Sequence, residues 1–423
     1  MISLSKTLNF LIICYFFLKL EIINAIIPSI WFVFLLSIII LSFNVFFSMS
    51  SDERRFLFKK NIWILISLIT LVVYKFLDYG NFRLDYMIQY LSYSIPFLVI
   101  GYYFALNKKS LNNIIFICFV LTFVSYFPVI FEYLVSGNYS RNFLKSLIFS
   151  GKENSGLIHF WPFLSTLIIF LIIISNSYIT NLYYRLFSHI CAFILLLFIF
   201  FSGYFSGIFF IIIFLFSFYS FNLNFFSIIK KSIMNTSFLF LFLLLIVNFS
   251  TGAIKSKVNA LLELINSGFI FDESILNIIT SDRFSSSAYS LLQFIEKPLY
   301  GHGVFLESTE NNMTIIESYI GASGGHSFFL DLLAFMGLFA IPIILIYIFF
   351  IKNAIRLTKL SVNTTYYKYY KSFYAILISV FISNIANSWL LFSAFDNFIF
   401  LIAGYIYGQL YMHDKKSRQK IIV

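Results

Sequence analysis

Charge is scarce in this chain of 423 residues: Asp, Glu, Lys and Arg together make up 11% of it, against about 25% in a soluble domain. With 60% of residues hydrophobic and a mean hydropathy of +0.91, too little polar surface exists to cover a water-soluble fold. A cytosolic or secreted globular protein is excluded. Cysteine is nearly absent. Cys14, Cys118 and Cys191 all lie in apolar runs, so neither a disulfide framework nor a C-x-x-C metal or redox motif is expected. The chain also lacks a Walker loop and a dinucleotide-binding fingerprint, and no His/Asp/Glu spacing reads as a metal site. No cofactor and no metal are expected.

What the chain has in abundance is long apolar stretches. A spanning helix needs roughly 20 predominantly apolar residues. Such runs fall near 7–24, 26–48, 61–77, 86–106, 111–134, 154–175, 186–202, 204–222, 233–250, 327–351, 370–391 and 394–412. Lys19 and Glu21 interrupt the first, which has no small-residue cleavage site and reads as a helix, not a removed signal peptide. The expected fold class is an all-α polytopic membrane protein with about twelve transmembrane helices.

The net charge of +11 is a topology signal. With the N-terminus inside, the inward segments hold 19 of the 29 basic residues and the outward segments eight, as the positive-inside rule requires. Both termini are then cytoplasmic, and no nucleic-acid partner is needed to explain the charge. The chain divides into nine helices over 1–250, a long extracytoplasmic loop over 251–325, and three helices with a cytoplasmic tail over 326–423. Loops this long are usually functional or disordered. Apolar residues at helical spacing, Val258, Leu261, Leu262 and Ile265, then Leu291, Leu292 and Ile295, favour an ordered lid on the membrane surface.

Two segments of this loop carry a pattern. Residues 283–303 read Arg-Phe-Ser-Ser-Ser-Ala-Tyr-Ser-Leu-Leu-Gln-Phe-Ile-Glu-Lys-Pro-Leu-Tyr-Gly-His-Gly, and Gly324-Gly325-His326-Ser327 leads into a span with Gly337 after nine further residues. Together with the twelve-span layout, this resembles the O-antigen polymerase and O-antigen ligase superfamily. There an arginine and an amphipathic helix precede Pro-Leu-Phe-Gly-x-Gly, and a His-Asn/Ser-x9-Gly signature follows. The small residue expected three positions after that glycine is Ala340 here. The resemblance implies a GT-C-like glycosyltransferase of the bacterial inner membrane, whose donor is a polyprenyl-diphosphate-linked oligosaccharide. Membrane lipid, a chain-length regulator and a flippase are the partners it implies.

The chemistry fits these residue types. Transfer from a polyprenyl diphosphate needs a base for the acceptor hydroxyl and cations for the departing diphosphate. Histidine suits the first task and arginine's planar fork the second. His326, at the N-terminal edge of an expected helix, is the candidate base; the alternative account is a helix cap. Arg283, in the first turn of its expected helix, is the candidate diphosphate ligand; the alternative is pairing with Asp282. The superfamily's usual Ser-Arg-Gly turn is replaced by Ser202-Gly203-Tyr204-Phe205-Ser206-Gly207, without arginine. Arg141, Lys145 and Lys152 in the outward segment 135–153 are the candidate substitutes, with an ordinary solvated loop as the alternative. Tyr204 in the altered turn is a candidate substrate contact. His302, between two glycines, is a rival base or a surface turn. His159 reads as a packed intramembrane histidine, Asp331 as a poor orienter for His326, and Glu132 and Asp396 as interior groups without an assigned role.

The leading expectation is a polymerase of lipid-linked repeat units making O-antigen or capsular polysaccharide. The alternative is a ligase moving finished glycan onto lipid A-core. A lipid-linked oligosaccharide transporter ranks below both, since the chain has no repeated halves and its charges concentrate in one outward loop.

Overall fold

A computed structural model describes residues 4–18, 30–76, 82–107, 111–136, 181–201, 205–221, 283–301, 328–386 and 394–422, with isolated positions at 168, 259, 260, 263 and 266. The described residues contain no strand. Their helices are α1 (Leu4–Leu18), α2 (Trp31–Ser48), α3 (Ser51–Lys60), α4 (Ile62–Phe76), α5 (Phe82–Leu106), α6 (Asn112–Ser136), α7 (Leu182–Phe201), α8 (Phe205–Ser220), α9 (Arg283–Glu296), α10 (Phe328–Met336), α11 (Ile341–Leu360), α12 (Tyr367–Ala386) and α13 (Ala394–Ile422). Among them, Trp31–Ser48, Asn113–Ser136, Leu182–Ile199 and the stretch Phe329–Leu360 are long and apolar enough to cross a membrane, and α3 with α4 would make a fifth as one bent span. The described residues thus have the makeup of a helical membrane protein. The runs expected at 154–175 and 233–250 lie outside the described residues, apart from position 168.

The chain forms two compact units. The first comprises Met1–Phe198, Ile341–Leu377 and Leu390–Val423; the second comprises Ile199–Ala340 and Ile378–Trp389.

In the first unit, α5 and α13 approach until their backbones touch. A β-carbon added at Gly101 would collide with the Leu401 carbonyl, one at Gly404 with the Leu98 carbonyl, and one at Gly408 would stand 2.5 Å from the Ala105 Cβ. Small residues four apart on both helices, Gly101 with Ala105 and Gly404 with Gly408, make this approach sterically open, as in close helix pairs of membranes. At one end of the pair the Asn397 amide donates to the Tyr15 hydroxyl and accepts from Ser94 Oγ at 3.0 Å, so these three buried polar groups satisfy one another. The contacts Ser94–Asn397 and Ala105–Gly408 make α5 and α13 parallel.

Contacts along α11 also run against the chain direction of the α3–α4 corner. Lys60 Nζ, at the end of α3, donates to Asn353 Oδ1 at 3.1 Å, and the rings of Trp63 of α4 and Phe349 are 5.6 Å apart, so α4 and α11 are antiparallel. Helices α11 and α13 run parallel, from Phe350 against Phe400 to an Arg356–Asp414 ion pair at 2.8 Å. These directions are those that the charge count assigns to the corresponding spans. The same end of the unit gathers α3, Arg356 and Asp414.

Helix α3 is specified locally. Ser50 Oγ accepts from the Glu53 N–H at 3.4 Å, and Glu53 Oε2 accepts from the Ser50 N–H at 2.9 Å, a reciprocal cap. Asp52 and Glu53 fill its first turn and Lys59 and Lys60 its last, each sign opposing the helix dipole. With six charges in ten residues, α3 suits a membrane surface better than a span. The chain bends by 60° at Asn61 before α4 begins.

In the second unit, the run expected at 327–351 begins as a nine-residue helix, α10, and then breaks. Gly337 takes φ +58° and a 3-10 turn, Gly337–Ala340, follows before α11. Phe329 of α10 packs on Phe381 in the second half of α12, with ring centres 5.0 Å apart.

Candidate functional site

The two patterned segments meet in the second unit. Helix α9 lies against α10, and buried Ser290 donates from Oγ to Asp331 Oδ1 at 2.6 Å. The apolar positions that signalled this helix, Leu291, Leu292 and Ile295, are exposed at 44%, 58% and 62%. The face turned to α10 therefore includes a serine and not the leucines.

Past α9, the turn at Pro298-Leu299-Tyr300-Gly301 docks on the break after α10. The Leu338 N–H is shared between the Pro298 carbonyl at 2.9 Å and the Leu299 carbonyl at 3.2 Å. Gly301 takes φ +68° and closes its turn by donating to the Lys297 carbonyl at 2.9 Å. A β-carbon at Gly301 would strike the Phe335 carbonyl, and one at Gly337 would lie 2.5 Å from the Pro298 carbonyl oxygen. Both glycines meet two demands at once: a left-handed backbone and an approach with no room for a side chain. The glycines of the two motifs are thus two halves of one backbone joint.

The order of contacts sets the direction of the pair. Ser290 meets Asp331, and Pro298 and Leu299 meet Leu338, so α9 and α10 run parallel. Their N-terminal ends point the same way. Arg283 opens α9 seven residues before Ser290, and Phe328 opens α10 three before Asp331. At a rise of 1.5 Å per residue, Arg283 stands roughly 6 Å beyond Phe328 along the common axis. Two parallel helix N-termini turn their positive dipole ends toward one region, an arrangement favourable to an anion.

Of the other expected site residues, His326, His302, Tyr204, Arg141, Lys145 and Lys152 lie outside the described residues, as does His159. Asp331 is engaged by Ser290. Glu132 is exposed on α6, and Asp396 belongs to α13. No group of three or more His, Cys, Asp or Glu side chains comes together among the described residues.

Sequence reasoning passed over Ser290 and a polar pair on α12. Ser383 and Asn384 are buried to within 1%, one turn beyond Phe381. Ser383 Oγ and Asn384 Oδ1 have no hydrogen-bond partner among the described residues, while Asn384 Nδ2 donates to the Val380 carbonyl at 2.6 Å. The available signal was Ser-Asn inside an apolar run, since intramembrane polar groups usually face the protein interior.

Comparison with models of known protein families matches none of them, and comparison with curated proteins finds no match.

Proposed function

We propose that the protein is a polymerase that joins polyprenyl-diphosphate-linked oligosaccharide repeat units into O-antigen or capsular polysaccharide, at the outer face of the bacterial inner membrane. One observation carries the reading: segments 283–301 and 328–340, apart in sequence, pack in parallel with their N-terminal ends together. Arg283 opens one helix, and in the sequence only Ser327 separates His326 from the other.

In this reading the acceptor hydroxyl oxygen attacks the anomeric carbon of the donor glycan. His326 takes the hydroxyl proton. The bond from that carbon to the diphosphate oxygen breaks, and the diphosphate leaves with the electron pair. Arg283 and the converging helix N-termini balance the growing negative charge. Tyr204, His302, Arg141, Lys145 and Lys152 are the proposed contacts to the glycan and the diphosphate. Exposed Leu291, Leu292 and Ile295 suit a helix lying against lipid, where a polyprenyl carrier resides. A flippase would supply the donor, and a chain-length regulator would act on the product.

The test is His326→Asn. A general base contributes typically 10²–10⁴-fold to a rate, whereas a lost helix cap costs about 1 kcal/mol. At normal protein abundance the variant should leave single repeat units on lipid A-core. Long chains would remove His326 from the chemistry. Polymer accumulating on the polyprenyl carrier, with bare core, would assign the protein as the ligase.

A further inference from the structure

Away from that site, a recess of about 450 Å³ opens in the first unit where α2, α3, α4 and α5 meet at the 60° bend. Its wall is apolar, with Phe43, Phe58, Ile95 and Pro96 among its residues, and only a few polar groups such as Asn61 and Ser92 interrupt it. Phe43 and Phe58 are 57% and 56% exposed, so the recess is open on its flank.

Two acceptors beside it lack a usual donor. Asn61 uses Nδ2 on the Leu57 carbonyl at 2.7 Å, which leaves Oδ1 buried with no partner among the described residues. Pro96 lies inside α5 and has no N–H, so the Ser92 carbonyl lacks its usual helical donor. Against lipid tails an unmet acceptor is costly, because no water is there to satisfy it.

The charge beside the recess is positive. On α3, Arg54 and Arg55 lie four and three residues before Phe58, on its face of the helix, and Lys59 follows Arg55 by one turn. Arg55 and Lys59 are exposed, and none of the three makes an ion pair among the described residues. Lys60 is turned away to Asn353.

We propose that this recess binds an anionic phospholipid of the phosphatidylglycerol class. One acyl chain fills the apolar groove against Phe43, Phe58 and Pro96. The phosphate lies against Arg54, Arg55 and Lys59. Charge complementarity selects this occupant: a neutral lipid or an apolar protein segment leaves three cations unmatched.

The experiment is native mass spectrometry of the detergent-purified full chain, titrated with phosphatidylglycerol, phosphatidylcholine and a polyprenyl phosphate. Wild type should retain phosphatidylglycerol above the other two. Replacing all three cations (R54Q/R55Q/K59Q) should weaken retention on the order of 100-fold, from roughly one lipid-binding increment per cation. Ser92 is exposed, so Ser92→Trp should fill the groove without unfolding the chain and abolish the adduct. Size-exclusion profiles matching wild type certify that both variants are folded. Equal retention of phosphatidylcholine, or unchanged adducts in both variants, overturns the proposal. Preferred retention of the polyprenyl phosphate overturns it in favour of a carrier site. A dimer without lipid, lost in Ser92→Trp, overturns it in favour of a second copy of the chain.

Discussion

Ser290 Oγ lies 2.6 Å from Asp331 Oδ1, joining residues 41 positions apart. A hydroxyl donating to a carboxylate is among the stronger hydrogen bonds, and this one ties the helix that begins with Arg283 to the helix that follows His326. It also sets how far each helix reaches toward the shared N-terminal end.

Ser290→Ala should therefore lower thermal stability in detergent, by about 1.5–3 kcal/mol for a hydrogen bond to a charged group. If the two side chains act as a unit, Ser290→Ala should add little to the loss in Asp331→Ala. A thermal-shift double-mutant cycle measures this, and additive losses would show the two groups to be independent.

The backbone joint predicts a sharper result. Gly337→Ala and Gly301→Ala each force a side chain into left-handed backbone, at about 1–2 kcal/mol, and into a neighbouring carbonyl as well. Both should sharply reduce monodisperse protein in fluorescence-detected size exclusion. Leu338→Ala, at a side chain 44% exposed, should not.

Closing α5 against α13 depends on the absence of side chains. Gly404→Leu should collapse protein abundance, since the added atoms meet the Leu98 backbone, which cannot move like a side chain. Ser417→Leu, at an exposed position of the same helix, should leave abundance unchanged. Immunoblots of membrane fractions give the comparison.

For Arg283 the informative change is conservative. If the guanidinium holds a diphosphate through two parallel hydrogen bonds, Arg283→Lys should shorten glycan ladders nearly as much as Arg283→Ala, because a point charge lacks the fork. Full ladders in the lysine variant, at equal protein level, would reduce the residue to a simple charge.

Lys60 gives a pH signature. Burial first, and then the nearby Arg356 charge, hold its ammonium below the usual lysine range. The folded chain thus binds its proton less tightly than the unfolded chain, so stability should rise as pH climbs through the lowered value toward the ordinary one. Lys60→Met should flatten that rise. Since Lys60 is only half-buried, solvent screening keeps the effect small. Thermal midpoints across the alkaline range test the sign.

Hydropathy located α4 to α8 to within about four residues at each end, because a bilayer imposes an apolar length that composition displays. It missed the charged α3 and the polar ends of α11 and α13. Breaks inside apolar runs were harder to see. Nothing in the hydropathy of 327–351 separates α10 from α11; the division comes from Gly337 adopting left-handed backbone to receive the 298–301 turn, a tertiary demand. Ser290 was hidden because periodicity drew attention to Leu291, Leu292 and Ile295, which are the exposed side. The G-x-x-x-G of Gly404 and Gly408 was passed over in the sequence, where it stands inside an ordinary apolar run; its meaning comes from Gly101, which lies 303 residues earlier and meets the same helix. Arg283 was found by pattern, while the parallel pairing that gives its position chemical sense required the Ser290–Asp331 contact.

The α5–α13 pairing also orders events during synthesis. Ser94 and Tyr15 find their partner in Asn397, which is 303 and 382 residues later in the chain. At a ribosomal pace of about 5–20 residues per second, Ser94 waits roughly 15–60 s for Asn397 to be made. Until then Gly101 and Ala105 line an uncovered helix face, a ready foothold for a foreign helix. The first unit therefore closes late: its tightest helix pair cannot form before α13 has been made.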